Sequence, residues 1–339
     1  MPVSIGRTPP FLTAGGDVLP GSIAEVAAWR IGGIDQWVMV RGRSLDNPVL
    51  ILLHGGPGSS ETASYRAFNA DLEAAFTVVY WDQRGAGRTF DPATPLETMT
   101  IDHFVLDLDE LVDRVLARTG KPHVTLLGHS WGSVLGVIYA QRFPGKVRAY
   151  VGVGQVADMA ASETASYEFV LARAKERGPA RAVKQLLALG PPPHTIEQLL
   201  VQRRWLTSMG GSMGRNLTMA RLIWRGLRTP EATLWDLVRL GRGAIFSLKP
   251  LWPQLMASHL RTDVPRLSMP VFFLLGRLDM QVAAPVSAAY FEALEAPHKE
   301  LVWFEESGHM VPFEEPERFN QVMIDAVRPH TIQAAPRAP

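Results

Sequence analysis

The stretch Leu126-Leu127-Gly128-His129-Ser130-Trp131-Gly132-Ser133 places a serine between two glycines directly after an apolar, β-type run. Residues 124–127 read as a short buried strand and residues 134–142 as a helix. Ser130 therefore falls on a sharp strand-to-helix turn, the context that the G-x-S-x-G pattern requires. The glycines have a steric reason. A serine on such a turn is held in a strained conformation, and side chains at 128 and 132 would collide with the neighbouring strand and helix. A pattern this short also arises by chance, and the flanking strand and helix are what single it out as a nucleophile elbow.

Working outward, residues 49–53 and 77–81 are continuous apolar runs, the pattern of strands buried on both faces. The first runs into His54-Gly55-Gly56-Pro57-Gly58-Ser59-Ser60 and the second into Asp82-Gln83-Arg84-Gly85-Ala86-Gly87. Helical patterns fall at about 63–75 and 101–119, and a further strand at 147–153. Upstream, residues 23–31 and 36–40, separated by Gly32-Gly33, suggest an antiparallel hairpin at the sheet edge. Strands resume at 271–275 and 300–304, with helices near 285–294 and 316–327. The alternation predicts an α/β fold with a mostly parallel, doubly wound sheet.

Between Gln155 and Asp263 only helical periodicity is found, broken at Pro191-Pro192-Pro193 and at Gly210-Gly211-Ser212-Met213-Gly214. The expected organisation is a sheet domain over residues 22–154 and 264–328, an all-helical cap inserted over 155–263, and loose termini at 1–21 and 329–339.

Composition narrows the class. The 339 residues are 47% hydrophobic, with Lys plus Arg 34 against Asp plus Glu 33, a formal net charge of +1. No Lys/Arg run tracks phosphates, so nucleic acid is not an expected partner. Cysteine is absent, which excludes disulfides, thiolate nucleophiles and Cys-based zinc sites. Residues 1–21 lack the apolar core of a secretory signal, and no run reaches the roughly 18 apolar residues of a membrane span. A cytoplasmic protein is the default expectation; the oligomeric state is not legible.

A serine hydroxyl needs a general base within hydrogen-bond reach and a third group that fixes the base's tautomer. Of the nine histidines, His309 is best placed, on a loop just beyond the last strand. His129 adjoins Ser130 and reads as structural. The acid should follow the preceding strand, and Leu275-Gly276-Arg277-Leu278-Asp279 supplies Asp279. Asp158, in the loop after the strand that follows the elbow, is the rival. The order Ser130, Asp279, His309 is the serine, acid, histidine order of α/β-hydrolases. Two backbone N–H donors are needed for a developing oxyanion, and Trp131 and Gly56 are the candidates. The glycine-rich loop is not a phosphate cradle, because no Gly-Lys-Ser/Thr follows it. Asp82 and Arg84 are expected to brace that loop.

Three segments together, His54-Gly55-Gly56-Pro57-Gly58, Trp81-Asp82-Gln83-Arg84-Gly85-Ala86-Gly87-Arg88 and Gly128-His129-Ser130-Trp131-Gly132-Ser133, give the chain a resemblance to the α/β-hydrolase superfamily and, within it, to the proline iminopeptidase-like (prolyl aminopeptidase) serine peptidases. The resemblance covers roughly residues 35–155 and 265–325. It implies release of an N-terminal residue, typically proline, from short peptides or arylamides, with no metal and no cofactor. The chain departs from that family in the cap, where the glutamates that hold a free α-amino group, in a Trp-Glu context and close to a His-Tyr pair, are not found. Glu163, Glu168 and Asp236 (in Trp235-Asp236) are the substitutes, with Gly55 as a further substrate contact. The cap's Trp and Met content, including Trp205, Met209, Met213, Trp224, Trp235 and Trp252, would equally suit apolar acyl groups. An esterase or amidase of small apolar acyl substrates is the alternative. The fold also hosts noncatalytic binding proteins, but all three triad residues are present here.

Overall fold

The computed structural model describes residues 7–214 and 216–332. Eight strands form one sheet: β1 (Ile23–Ile31), β2 (Ile34–Gly42), β3 (Val49–Leu53), β4 (Thr77–Trp81), β5 (Val124–His129), β6 (Val147–Val153), β7 (Val271–Gly276) and β8 (Lys299–Phe304). Their spatial order is β1-β2-β4-β3-β5-β6-β7-β8. Pairing is antiparallel in β1–β2 and β2–β4 and parallel from β4 through β8.

The apolar runs become strands because both faces are covered. In β3, Ile51 and Leu53 pack with Val134, Leu135 and Phe104 on one face. Leu50 and Leu52 pack with Tyr65, Leu72 and Phe319 on the other. The first face is covered by α3 (Ile101–Thr119), α4 (Trp131–Arg142) and α11 (Ala284–Ala293). The second is covered by α1 (Thr62–Phe68), α2 (Leu72–Ala75), α12 (Val311–Glu314) and α13 (Pro316–Val322). Alternation with period two on a buried parallel sheet is what makes these strands readable as unbroken apolar stretches.

The expected helix over 63–75 is instead two helices. The chain turns at Asn69, whose side-chain amide donates to Pro312 O (2.9 Å) and Asn320 Oδ1 (3.0 Å). The last helix also widens, α13 giving way to a π-helical turn over Met323–Val327.

Between β6 and β7 the chain runs through α5 (Met159–Arg177), α6 (Ala180–Leu189), α7 (Ile196–Ser208), α8 (Met219–Gly226), α9 (Leu234–Met256) and α10 (Leu260–Asp263). The Pro-rich break separates α6 from α7, and the Gly-rich break separates α7 from α8. The expected looseness of 1–21 does not hold over residues 7–21. Thr8 Oγ1 donates to Glu231 Oε1 (2.6 Å), Pro9 O accepts from Arg41 (2.7 Å), and the Arg41 guanidinium lies 4.7 Å from the centre of the Phe11 ring. Residues 1–6 and 333–339, also expected to be loose, lie outside the described residues. Just before them, His330 stacks on His298 with ring centroids 4.3 Å apart.

Candidate active site

Ser130 has φ 53° and ψ −119°, and it is the one non-glycine residue with positive φ among the described residues. Strain of this kind persists only where the surroundings over-determine it. Here Ser130 N–H donates to Val153 O (2.9 Å), Ser133 N–H donates to Ser130 O (2.8 Å), and Ser133 Oγ donates to the same carbonyl (2.6 Å). The glycines are enforced sterically. A Cβ on Gly128 would lie 2.4 Å from Gly132 O, and one on Gly132 would lie 2.0 Å from Leu53 O.

Two loops bring His309 and Asp279 together. Asp279 follows β7 and His309 follows β8, so parallel neighbours deliver both side chains to the carboxyl edge of the sheet. His309 Nδ1 lies 2.7 Å from Asp279 Oδ2, with exposures of 2% and 1%. Asp279 Oδ1 accepts from the N–H groups of Gln281 (2.9 Å) and Val282 (3.0 Å). A carboxylate only accepts, so Nδ1 carries a proton, and in the neutral ring the lone pair is then on Nε2. That Nε2 is buried and has no hydrogen-bond partner.

The Gly-rich break between α7 and α8 fastens these loops. Met280 N–H donates to Gly211 O (2.8 Å) and His309 N–H to Ser212 O (2.8 Å), while Ser212 Oγ donates to Gln281 Oε1 (2.7 Å). From the far side, the Glu314 carboxylate accepts from Gly308 N–H (3.1 Å) and Met310 N–H (2.8 Å). Burial pushes the Glu314 carboxyl up despite these amides.

The loop after β3 is fixed by its neighbour after β4. Gln83 N–H donates to His54 Nε2 (3.1 Å), so His54 Nδ1 bears the proton and donates to Gly55 O (2.8 Å). Burial, the largest influence, lowers the pKa of His54 and keeps it neutral. Gln83 also donates to His54 O (3.2 Å) and accepts from the Trp131 indole (2.9 Å). Trp131 opens α4, where the first amides have no intrahelical partner. Arg84 forms a bidentate pair with Asp107 of α3 (both 2.9 Å). Asp82 accepts from Arg88 N–H (2.8 Å) and Thr62 Oγ1 (3.2 Å).

Ser130, His309, Gly55 and Gly56 line one cavity of about 750 Å³. Its opposite wall is apolar and comes from α8 and α9, including Leu222, Ile223, Leu237 and Leu240. Gly55 is a wall residue whose N–H is already bound by Glu61 Oε2 (3.1 Å).

The expected substrate carboxylates are placed differently. Glu163 is 1% exposed, pairs with Arg203 of α7, and does not line the cavity. Glu168 is on the exposed side of α5 and does not line it either. Both fail as cavity residues because α5 turns that stretch toward α7 or solvent. Asp236 does line the cavity. Its carboxylate is engaged, however, by Arg88 (3.1 Å) and by Thr233 N–H at the start of α9 (2.8 Å). Burial opposes its charge, and Arg88 outweighs burial to hold the carboxyl below its usual value. The rival acid Asp158 caps α5 through Ala161 N–H (2.9 Å) and faces His259 (3.2 Å).

Two cavity carboxylates, Glu231 and Glu61, carried no signal in the sequence, and Arg88, quoted there within its motif, was given no role. Glu231 sits between α8 and α9, 6% exposed. Its Oε1 accepts from Thr8 and Arg66 (3.2 Å), whereas Oε2 is buried without a partner. Burial opposes its ionisation, but the Thr8 hydroxyl and the Arg66 guanidinium prevail and lower the pKa.

Among the described residues no cluster of three or more His, Asp or Glu side chains is arranged to hold a metal ion, and no helix is long and apolar enough to cross a membrane.

Comparison with known proteins places the chain in a family. The Bacillus subtilis (strain 168) protein named probable aminopeptidase YbaC is 31% identical over 311 residues, spanning 91% of this chain and 98% of that one. Among solved structures, VinJ superimposes with a TM-score of 0.68 at 24% identity, covering 92% of this chain and 100% of that one. The proline iminopeptidase of Mycobacterium smegmatis gives 0.66 at 19% identity, covering 91% and 99%. At these identities the two structures speak for the fold alone. Residues 48–316 match the family described as alpha/beta hydrolase fold, and the chain belongs to that family, with proteins named proline iminopeptidase and probable aminopeptidase among its relatives.

Proposed function

We propose that this hydrolase works through an acyl-enzyme on Ser130, with His309 as base and Asp279 as its orienting acid, and that it acts as a proline iminopeptidase-like aminopeptidase. One observation carries the catalytic part. His309 Nε2 is a buried, unpartnered nitrogen on a ring fixed by Asp279, and His309 borders the same cavity as Ser130. A buried polar atom without a partner is uncommon in a native protein, and a substrate-loaded serine hydroxyl is the partner this one awaits. In the reaction Nε2 removes the Ser130 proton as Oγ attacks the carbonyl carbon, and His309 then protonates the departing amine. The N–H groups of Gly56 and Trp131 are the proposed donors to the oxyanion. Water repeats the sequence and frees the acyl group. Residues 155–263 serve as the cap that closes the cavity.

The aminopeptidase part rests on Glu231. It occupies the role that Glu163, Glu168 and Asp236 were expected to fill, because its Oε2 is an unsatisfied acceptor on a cavity residue. A substrate ammonium would supply the missing hydrogen bond. The name of the B. subtilis relative agrees with an amine-bearing substrate. The apolar wall of α8 and α9 favours one alternative within the same chemistry, an esterase or amidase of apolar acyl substrates.

Free and N-acetylated prolyl arylamides separate the two. With an ammonium anchor the free amine is preferred by about 30-fold or more in kcat/KM, the worth of a charge-assisted hydrogen bond to a buried carboxylate. A ratio near one, with short acyl esters turned over faster, would leave the esterase standing.

A further inference from the structure

Behind the nucleophile lies a second histidine–carboxylate pair that the proposed chemistry does not use. His129 precedes Ser130, and Glu61 precedes α1. Glu61 Oε1 is 2.6 Å from His129 Nδ1, and Glu61 Oε2 accepts Gly55 N–H (3.1 Å). His129 Nε2 is 2.9 Å from His309 O. The side chains of His129 and Glu61 are 1% and 10% exposed.

The partners fix the charge. A backbone carbonyl only accepts, so Nε2 must donate; the Glu61 carboxyl, held below its usual value although burial opposes its charge, is ionised and only accepts, so Nδ1 must donate as well. An imidazole donating from both nitrogens is an imidazolium, and the pair is His129⁺ with Glu61⁻. The groups around it are consistent with this. Burial works against both charges, yet each partner outweighs it for the other, raising the histidine and lowering the glutamate. Asp279 adds to the effect on His129, and the Gly55 N–H adds to that on Glu61. The remaining neighbours are the ring of His309, with centroids 5.0 Å apart, and the edge-on ring of Phe313.

The pair joins two pieces that the reaction needs in register. One end holds the loop of Gly55 and Gly56, and the other holds the backbone of His309. It also balances a charge: an unpaired Glu61 carboxylate one residue from the Gly56 N–H would repel the oxyanion that this amide is proposed to stabilise. We infer that Glu61 and His129 are positioning residues, a permanently ionic clasp that locks the oxyanion loop to the general-base loop and cancels the carboxylate's charge there. The inference rests on the serine-hydrolase reading for its kinetic consequence, but not for the ionic state itself.

Glu61→Gln keeps every contact: the amide oxygen accepts from Gly55, and its NH2 donates to a neutral His129 that still donates to His309. It should lower kcat by less than about fivefold. His129→Gln strands the carboxylate and should lower kcat by about 100-fold, with KM changed less than threefold, comparable to losing one oxyanion donor. Adding Glu61→Gln to His129→Gln should restore at least about tenfold of the loss, the non-additivity expected of contacting residues. A purely structural role would instead make the double variant as poor as the product of the single ones, and that result overturns the inference. The wild-type protein gives a second readout that holds even if His129→Gln does not fold. In ¹⁵N-histidine spectra at pH 7.5, one histidine, assigned as His129 through its loss in the folded double variant or through its bonds to Glu61 and His309, should show both ring nitrogens protonated. A neutral His129 there overturns the inference, whereas activity surviving in Ser130→Ala would overturn only the serine reading.

Discussion

The floor and the roof of the cavity are built to different standards. On the floor, Ser130, Asp279 and His309 are 8% exposed or less, and each is held by hydrogen bonds from neighbouring backbone. On the roof, α9 exposes Leu234 (76%) and Trp235 (70%), and α8 exposes Trp224 (59%). The floor is a set of strand ends, where one residue of slippage would invert every side chain. The roof is a set of helices tied to the floor by many side-chain bonds, among them the Gly211–Ser212 clamp, the Arg88–Asp236 and Arg66–Glu231 pairs and the Ser247–Gly85 bond. In the proposed function, chemistry that tolerates little displacement would thus be lodged in the sheet, and selection of the substrate where small changes can be accommodated.

That contrast can be broken at either end. The largest effect belongs to the floor: Asp279→Asn should reduce kcat by on the order of 10⁴ through loss of the His309 tautomer, while Asp158→Asn should change it less than twofold. Steady-state kinetics on both variants checks this, and the reverse ranking would move the acid to the loop after β6. Next is the stability of the floor. Asp107→Ala would leave Arg84, 1% exposed, without its bidentate partner, and breaking a buried pair in this way costs about 3–5 kcal/mol, measurable by urea unfolding. Smaller again is the roof's contribution to specificity. Glu231→Gln should abolish most of the preference for free over acetylated prolyl substrate, a loss of about 2–3 kcal/mol, and leave kcat on uncharged esters within about twofold. An unchanged preference would remove Glu231 as the anchor. The least effect is expected at Trp235→Ser, where a largely exposed side chain should shift stability by less than about 0.5 kcal/mol in the same unfolding assay.

The same division decides how much the sequence disclosed. Buried parallel strands advertise themselves as unbroken apolar runs, and the strand at Val147–Val153 begins and ends where expected. The helix Ile101–Thr119 is equally legible, since Thr100 caps its start and Gly120, with φ 67°, ends it. Ser130, Asp279 and His309 stand out because each follows a strand and so lies at one sheet edge. What could not be read was set by contacts distant in sequence. Glu231 is defined as a cavity carboxylate by Thr8 and Arg66, 223 and 165 residues away. Glu163 is removed from candidacy by Arg203 of another helix. Asn69 splits a helix through its bonds to Pro312 and Asn320. The arm at 7–21 resembled a loose terminus because its docking depends on Arg41 and Glu231, neither of which lies within it.

The most direct test is covalent. A fluorophosphonate probe reacts with a serine activated by a neighbouring base, and peptide mass spectrometry identifies the modified residue. The predicted result is stoichiometric label on Ser130 in the native protein and none on Ser130→Ala, whose melting temperature should stay within a few degrees of the parent's. Label on another residue, or equal labelling of Ser130→Ala, would contradict an acyl-enzyme on Ser130.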